Sequence, residues 1–162
     1  MAQEDRTYAD LVVAHAPALL RLAVMLTGAR EDAEDLLQST FLRAARHADR
    51  IAAMTAPAAY LRRVLVNEHL STGRRTSRRV RTVSAVADAA VADGGGAVDA
   101  RDETWRWLAT LSAPQRAVLA LRFYEDLPDA EIAELLGCPE ATVRSHARRG
   151  LAALREHLGG RP

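Results

Sequence analysis

Between Leu135 and Leu158 the chain reads LLGCPEATVRSHARRGLAALREHL. A short apolar helix ends, a tight turn runs through Gly137, Cys138 and Pro139, and a basic amphipathic helix begins. Counting from Asp129, a small residue, Ala133, falls at position five, Gly137 at nine and Val143 at fifteen. Each position has a steric reason. The small residue lets a second helix cross closely, the glycine can take a positive φ at the turn, and the β-branched valine anchors the second helix from inside. Ile132, Leu136, Val143, Ala147, Leu151 and Leu154 are expected to complete one buried face. Glu140, Ala141, Thr142, Arg144, Ser145, Arg148 and Arg149 are left outward. Thr, Ser and Arg near a helix start suit base edges and phosphates, so the spacing predicts a DNA-reading helix-turn-helix.

Working back from this unit, SAPQ at Ser112–Gln115 is a capping box that opens a helix carrying Val118, Leu119, Leu121 and Arg122 into FYEDLPD. Trp105 or Trp107, with Leu108 and Leu111, is expected to supply core bulk before it. Pro128 starts the short helix DAEIAELL. The stretch 83–100, with three successive glycines and no large apolar anchor, reads as a flexible linker.

The N-terminal half is also helical in pattern. Leu11, His15, Leu19, Leu22 and Leu26 share one face, with Pro17 expected to divide or kink the helix and Gly28 to cap it. A second helix opens on the acids of Glu31–Asp35 and carries Ala33, Leu36, Leu37, Thr40, Phe41 and Ala44 inward. A third begins at Pro57, turns Tyr60, Leu61, Val64, Leu65 and His69 inward, and is expected to fray by Thr72-Gly73. Apolar residues make up 49% of the chain, with no alternating Val, Ile or Thr runs. The expected fold is all-α, with two small helical domains at 1–82 and 101–162 joined by the linker 83–100.

The formal net charge is only +1 over 162 residues, yet the charge is segregated. From Arg62 to Arg81 seven arginines face one acid, Glu68; from Pro139 to Arg155 four face Glu140. Between Thr82 and Glu103 five acids face Arg101 alone. A single cysteine, Cys138, excludes an internal disulfide. The N-terminus lacks the basic start and apolar run of a signal peptide, and no uninterrupted apolar stretch approaches a membrane span, so a cytoplasmic protein is expected. The five histidines show no metal-ligand spacing. Acids in the first turn at Glu31–Asp35 are dipole partners rather than a cation site. No cofactor, metal, catalytic residue or small-molecule substrate is expected.

Four segments together resemble one family: EDAEDLLQSTFLRAAR, PAAYLRRVLVNEHLS, LSAPQRAVLALRFYEDLPDAEIAELLGC and TVRSHARRGLAALR, in that order. The chain is similar to bacterial RNA polymerase sigma factors of the extracytoplasmic-function group, near the actinobacterial SigE type. The resemblance covers nearly everything except the linker. It implies a first domain, region 2, that grips the β′ clamp of core polymerase and melts the −10 element. It implies a second, region 4, that reads the −35 element and meets the β flap. By position, Asp35 and Gln38 would meet the clamp, with Ser39 standing where an acid is common. Arg62, Arg63, Asn67, Ser71, Arg74 and Arg75 would line the melted strand. Thr142, Arg144, Ser145 and Arg148 would enter the upstream major groove, with Arg149, Arg116 and Arg122 nearer phosphates. The family often has an anti-sigma partner. It commonly places an aromatic where this chain has Thr72-Gly73, leaving Tyr60 as the one aromatic between Thr55 and Arg81.

A dimeric helix-turn-helix repressor would share the C-terminal unit. It would need a dimerising helix, which the sequence does not offer, and it leaves the basic helix ending near Gly73 unexplained.

Overall fold

The computed structural model describes residues 7–83 and 106–159, with side chains described within 7–73 and 106–159. Every regular element among the described residues is helical. The chain divides into two compact units, Met1–His69 and Leu70–Pro162.

In the first unit, α1 spans Tyr8–Thr27. It starts where a capping box can form: the Thr7 N–H donates to Asp10 Oδ2 at 3.0 Å and the Asp10 N–H donates to Thr7 Oγ1 at 3.3 Å. The Thr7 hydroxyl also donates to Asp10 Oδ2 at 2.6 Å, and this bond, with that from the Thr7 N–H, holds the Asp10 carboxyl below the usual aspartate range. The helix stops at Gly28, whose φ of 76° opens the left-handed region and whose N–H donates to the Val24 carbonyl.

Pro17 does not divide α1; the helix runs through it. A proline removes the hydrogen bond to the carbonyl four residues earlier. Here that carbonyl belongs to Val13, and both residues lie on the exposed face, where water can satisfy it. By length and composition α1 is apolar enough to cross a membrane, although Asp10 and Arg21 interrupt it. Its inner face is instead spent on packing, with Leu11, Leu19, Leu22, Ala23 and Leu26 buried and α2 and α3 against it.

The helix α2, Arg30–Ala45, opens with Glu31 and Asp32 in its first turn, which offset the positive helix end in the absence of a side-chain cap. Ala33, Leu36, Thr40 and Ala44 are buried, while Leu37 and Phe41 are half-buried. The Thr40 hydroxyl, fully buried, donates to the Leu36 carbonyl at 2.7 Å and so is satisfied within its own helix. The single-turn helix α3, Ala48–Ala52, inserts Ile51. Tyr8 ties the start of α1 to α2 by donating from its phenol to the Phe41 carbonyl at 2.7 Å, and burial raises its pKa.

The helix α4 begins with Pro57 and buries Leu61, Leu65 and Val66, with Tyr60, Val64 and His69 half-buried. It does not fray at Thr72-Gly73 but continues to Val83. Glycine in a helix interior costs about 1 kcal/mol relative to alanine, and the arginines that follow Gly73 are good helix formers. Its effect here is a weak point, not a stop.

After α4 the described chain resumes with a helical turn at 106–109. Leu111 is buried, Trp107 and Leu108 are half-buried, and Trp105 and nearly all of the expected linker lie outside the described residues. Ser112 caps α5, Ala113–Leu119, through the capping box with Gln115. The expected single helix into FYEDLPD changes pitch: Ala120–Tyr124 is a π-helical turn, with the Glu125 N–H donating to the Ala120 carbonyl. Asp126 then takes a φ of 53°, a left-handed conformation that Asp tolerates better than most residues.

The helix α6, Asp129–Leu136, and the helix α7, Glu140–Gly159, pack on each other, and α7 also packs on α5. Gly137, at φ 64°, closes α6; its N–H donates to the Glu134 carbonyl and the Cys138 N–H donates to the Ala133 carbonyl. That pair of bonds is a Schellman motif. The buried face differs in detail from the expected stripe. Ile132, Ala133, Leu135, Val143 and Ala147 are buried, whereas Leu136, Leu151 and Leu154 are half-buried. Gly150 is buried because α5 comes close: a Cβ there would lie 2.9 Å from Leu119 Cδ1 and 3.4 Å from Gln115 Cβ.

Two glycines should therefore respond oppositely to alanine. Gly73 has open space around it and no positive φ, so Gly73→Ala should stabilise α4 by about 0.5–1 kcal/mol. Gly137→Ala also meets no atom but must hold a left-handed backbone, at a cost of about 1–2 kcal/mol. Urea unfolding followed by far-ultraviolet circular dichroism, which reports on all the helices, reads both variants.

Candidate nucleic-acid interface

The turn at Gly137 decides what α7 shows to solvent. Pro139 supplies the carbonyl that accepts from the N–H groups of Thr142 and Val143, at 3.0 and 3.2 Å, so the helix starts immediately after the turn. With Val143, Ala147 and Gly150 inward, Arg144, Arg148 and Arg149 are exposed, and Thr142 and Ser145 are half-buried beside them. All five residues expected to read DNA on this helix thus lie on or bordering its outward surface. Arg144 also reaches back to Glu140, with Nη1 3.4 Å from Oε2.

The two arginines expected nearer phosphates are placed differently. Arg116 is half-buried, and its Nη1 donates to the Leu108 carbonyl at 3.3 Å; burial lowers its pKa. Arg122 Nη2 lies 3.0 Å from Asp129 Oδ2 and its guanidinium sits 6.0 Å from the Phe123 ring centre. The first joins α5 to the turn before it. The second joins the π-helical turn to the opening residue of α6. Sequence spacing cannot reveal such partners, because Asp129 and Leu108 are brought to them by the turns.

In the first unit, Asp35 and Gln38 are exposed and Ser39 is half-buried. Leu42, 67% exposed, continues their row at i, i+3, i+4 and i+7. The sequence reading missed it, although that spacing was the available signal. On α4, Arg63 and Asn67 are exposed, and Arg62 and Ser71 are half-buried. Arg74 and Arg75 lie in the helix, and their side chains fall outside the described set. Tyr60 is half-buried. Glu68, the lone acid of this basic run, pairs with Arg43 at 3.1 Å and so links α4 to α2. Phe123, 64% exposed, and Tyr124, 38% exposed, form an aromatic surface that reading FYEDLPD as plain helix did not anticipate.

Comparison with known proteins returns the same organisation. Residues 11–79 match the family model for sigma-70 region 2, and residues 101–154 match that for sigma-70, region 4. The chain is 36% identical over 144 residues to the RNA polymerase sigma-E factor of Streptomyces avermitilis, covering 89% of this chain and 80% of that protein. It is also 36% identical over 148 residues to the ECF RNA polymerase sigma factor SigL of Mycobacterium tuberculosis, covering 87% and 82% respectively. Among solved structures, the sigma factor RpoE of Bartonella quintana, crystallised with the anti-sigma factor NepR, superposes with a TM-score of 0.71 at 28% identity. The match covers 96% of this chain and 98% of that one.

The Arg122–Asp129 pair is partly shielded, so it should contribute more than a fully exposed pair. A double-mutant cycle with Arg122→Ala and Asp129→Asn, read by urea unfolding, should give a coupling of roughly 0.5–1 kcal/mol. A cycle that closes to zero would return Arg122 to the set of side chains available to the DNA backbone.

Proposed function

The chain belongs to the extracytoplasmic-function group of bacterial RNA polymerase sigma factors, and on that footing we propose how its residues divide the work of promoter selection. It is an initiation factor: it binds core RNA polymerase and directs transcription from specific promoters. The family is not enzymatic, and nucleotidyl transfer belongs to the polymerase.

Region 2, assigned to 1–82, meets the β′ clamp through Asp35, Gln38 and Ser39. Along α4, Arg62, Arg63, Asn67, Ser71, Arg74 and Arg75 follow the −10 strand as it melts. Region 4, assigned to 101–162, lies against the β flap and sets α7 in the major groove of the −35 element. There Thr142, Arg144, Ser145 and Arg148 address bases and Arg149 a phosphate. Arg116 and Arg122 contribute to phosphate contact by shaping the unit, since both already hold internal partners. An anti-sigma protein that covers these faces completes the set of partners, and the cytoplasm is where polymerase and promoter meet.

One observation carries this assignment: the outward face of α7 is arginine-rich, while the chain as a whole is nearly neutral. Affinity for duplex DNA comes largely from phosphate neutralisation and falls steeply with salt. Base contacts supply the discrimination. A helix with four arginines against two acids, Glu140 and Glu156, makes few phosphate contacts and holds DNA weakly by itself. Delivery by polymerase raises the effective concentration of both regions at one promoter, so that each has to discriminate rather than grip. The elements stand on the order of two duplex turns apart, each about 34–36 Å. The eighteen residues of 83–100 reach about 60–65 Å when extended. A repressor dimer accounts for α7 but not for the region 2 match.

Transcription in vitro with core polymerase and the purified chain, with start sites mapped on genomic DNA, tests this assignment. Arg144→Ala and Arg148→Ala should each cost about 1–3 kcal/mol in promoter use, expressed through the upstream element. Normal transcription by both variants would remove α7 from the groove. Asp35→Arg should lose core polymerase in a pull-down while circular dichroism stays unchanged, because the residue is exposed. Retained binding would remove Asp35 from the clamp surface.

A further inference from the structure

We propose that Glu140 sets the specificity of the upstream-element reader. Its carboxylate holds Arg144 in place and opposes DNA that offers phosphates without the right bases. This inference rests on the assignment of α7 to the −35 element and deepens it.

Glu140 is the only acid between Pro139 and Arg155, against four arginines. It is the first residue of α7. The opening residues of a recognition helix are those that meet base edges. The same helix end carries the positive partial charge and the free N–H groups that attract a phosphate. A carboxylate at this point is the least favourable side chain for indiscriminate DNA binding. Were affinity the only demand, an uncharged residue at this first helical position would leave the helix end open to phosphate.

The geometry adds a second role. Arg144 Nη1 lies 3.4 Å from Glu140 Oε2, and the side chains retain 57% and 51% of their exposure. An acid four residues before a base is the favourable order on a helix. The contact therefore biases the Arg144 rotamer while leaving the guanidinium accessible. Among the described residues of α7, Arg144 is the one arginine with an acid partner. Arg148 and Arg149 are exposed without one.

The charge balance makes a single carboxylate consequential. With Arg116 and Arg122 engaged internally, the surface offered to DNA is essentially that of α7. Over α7 four arginines face Glu140 and Glu156, so Glu140 lowers the balance of the helix from +3 to +2. DNA lacking the correct bases meets this reduced field and an Arg144 already occupied. A base edge that accepts two hydrogen bonds from the guanidinium, as guanine does, replaces the weak contact with a stronger one. Neutralising Glu140 should thus favour wrong DNA more than right DNA.

The test uses the holoenzyme, this chain with core polymerase, on two templates: a mapped promoter and the same promoter with its −35 element scrambled. Glu140→Gln keeps the side-chain shape and removes the charge; Glu140→Asp keeps the charge. Transcription is read from 50 to 200 mM salt. For Glu140→Gln, the scrambled-to-intact ratio should rise about threefold or more. One additional phosphate neutralised steepens the salt slope by about 0.9, so the loss in binding between 50 and 200 mM should grow roughly three- to fourfold. Glu140→Asp should restore the wild-type salt slope.

An unchanged ratio and slope in Glu140→Gln would overturn the inference. So would a fall on the intact template alone, which would make Glu140 a direct reader of a base such as cytosine. If scrambling the element leaves the wild-type holoenzyme unaffected, the assignment of α7 fails instead, and the two failures are distinguished. A Glu140→Gln chain that misfolds would lose activity on both templates at every salt concentration, and normal activity of Glu140→Asp then decides for the charge.

Discussion

The C-terminal unit depends on a backbone constraint only a few residues long. At Gly137 the chain must enter the left-handed region so that α6 can end, two of its carbonyls can be satisfied, and α7 can start immediately afterwards. The hydrogen bonds from Gly137 to Glu134 and from Cys138 to Ala133 secure that reversal. Pro139 then offers its carbonyl to the next helix. Because the turn is so short, it fixes the orientation of α7 about its own axis relative to α6. Val143 and Ala147 face inward as a consequence, and Arg144 and Arg148 face outward.

The close approach at Gly150 completes this arrangement from the other end of α7. Gly137 and Gly150 are glycine for different physical reasons. The first meets no neighbour and needs only conformational freedom; the second has ordinary helical surroundings and needs space beside Leu119. Together they fix the start of the recognition helix and its distance from α5. The first unit is held in a different way, by a leucine core, a satisfied buried threonine and the Arg43–Glu68 link between α2 and α4. The face assigned to polymerase and the face assigned to DNA are thus on helices that share an ion pair.

Electrostatics in this protein are arranged as local excesses on a nearly neutral whole. That pattern is economical for a factor carried to its target by a larger assembly, because long-range attraction to DNA is weak while close contacts stay polar and directional. The structure sharpens the pattern further. Several cations counted as free from the sequence are already engaged: Arg116 with a carbonyl, Arg122 with Asp129, Arg43 with Glu68 and Arg144 with Glu140. The cationic surface available to a partner is smaller than a count of arginines suggests.

The sequence by itself determined the class of fold, the helix-turn-helix and the outward set Thr142, Arg144, Ser145, Arg148 and Arg149. Those follow from local periodicity and from turn chemistry, which act over a few residues. Asp35, Gln38 and Asn67, which entered only through the family resemblance, are exposed. Of the two outcomes the sequence allowed for Pro17, division does not occur, and the fraying expected at Thr72-Gly73 does not occur either. Neighbouring propensity and an exposed carbonyl allowed both helices to continue. It chose Leu136 over Leu135 because an ideal 3.6-residue period cannot say how the last turn before a left-handed cap is rotated against its neighbour. The π-helical turn, the exposure of Leu42 and Phe123, and the internal partners of Arg116 and Arg122 were decided by tertiary structure alone. Each depends on which surfaces meet across turns, and residues seven or more apart carry no record of that in their spacing.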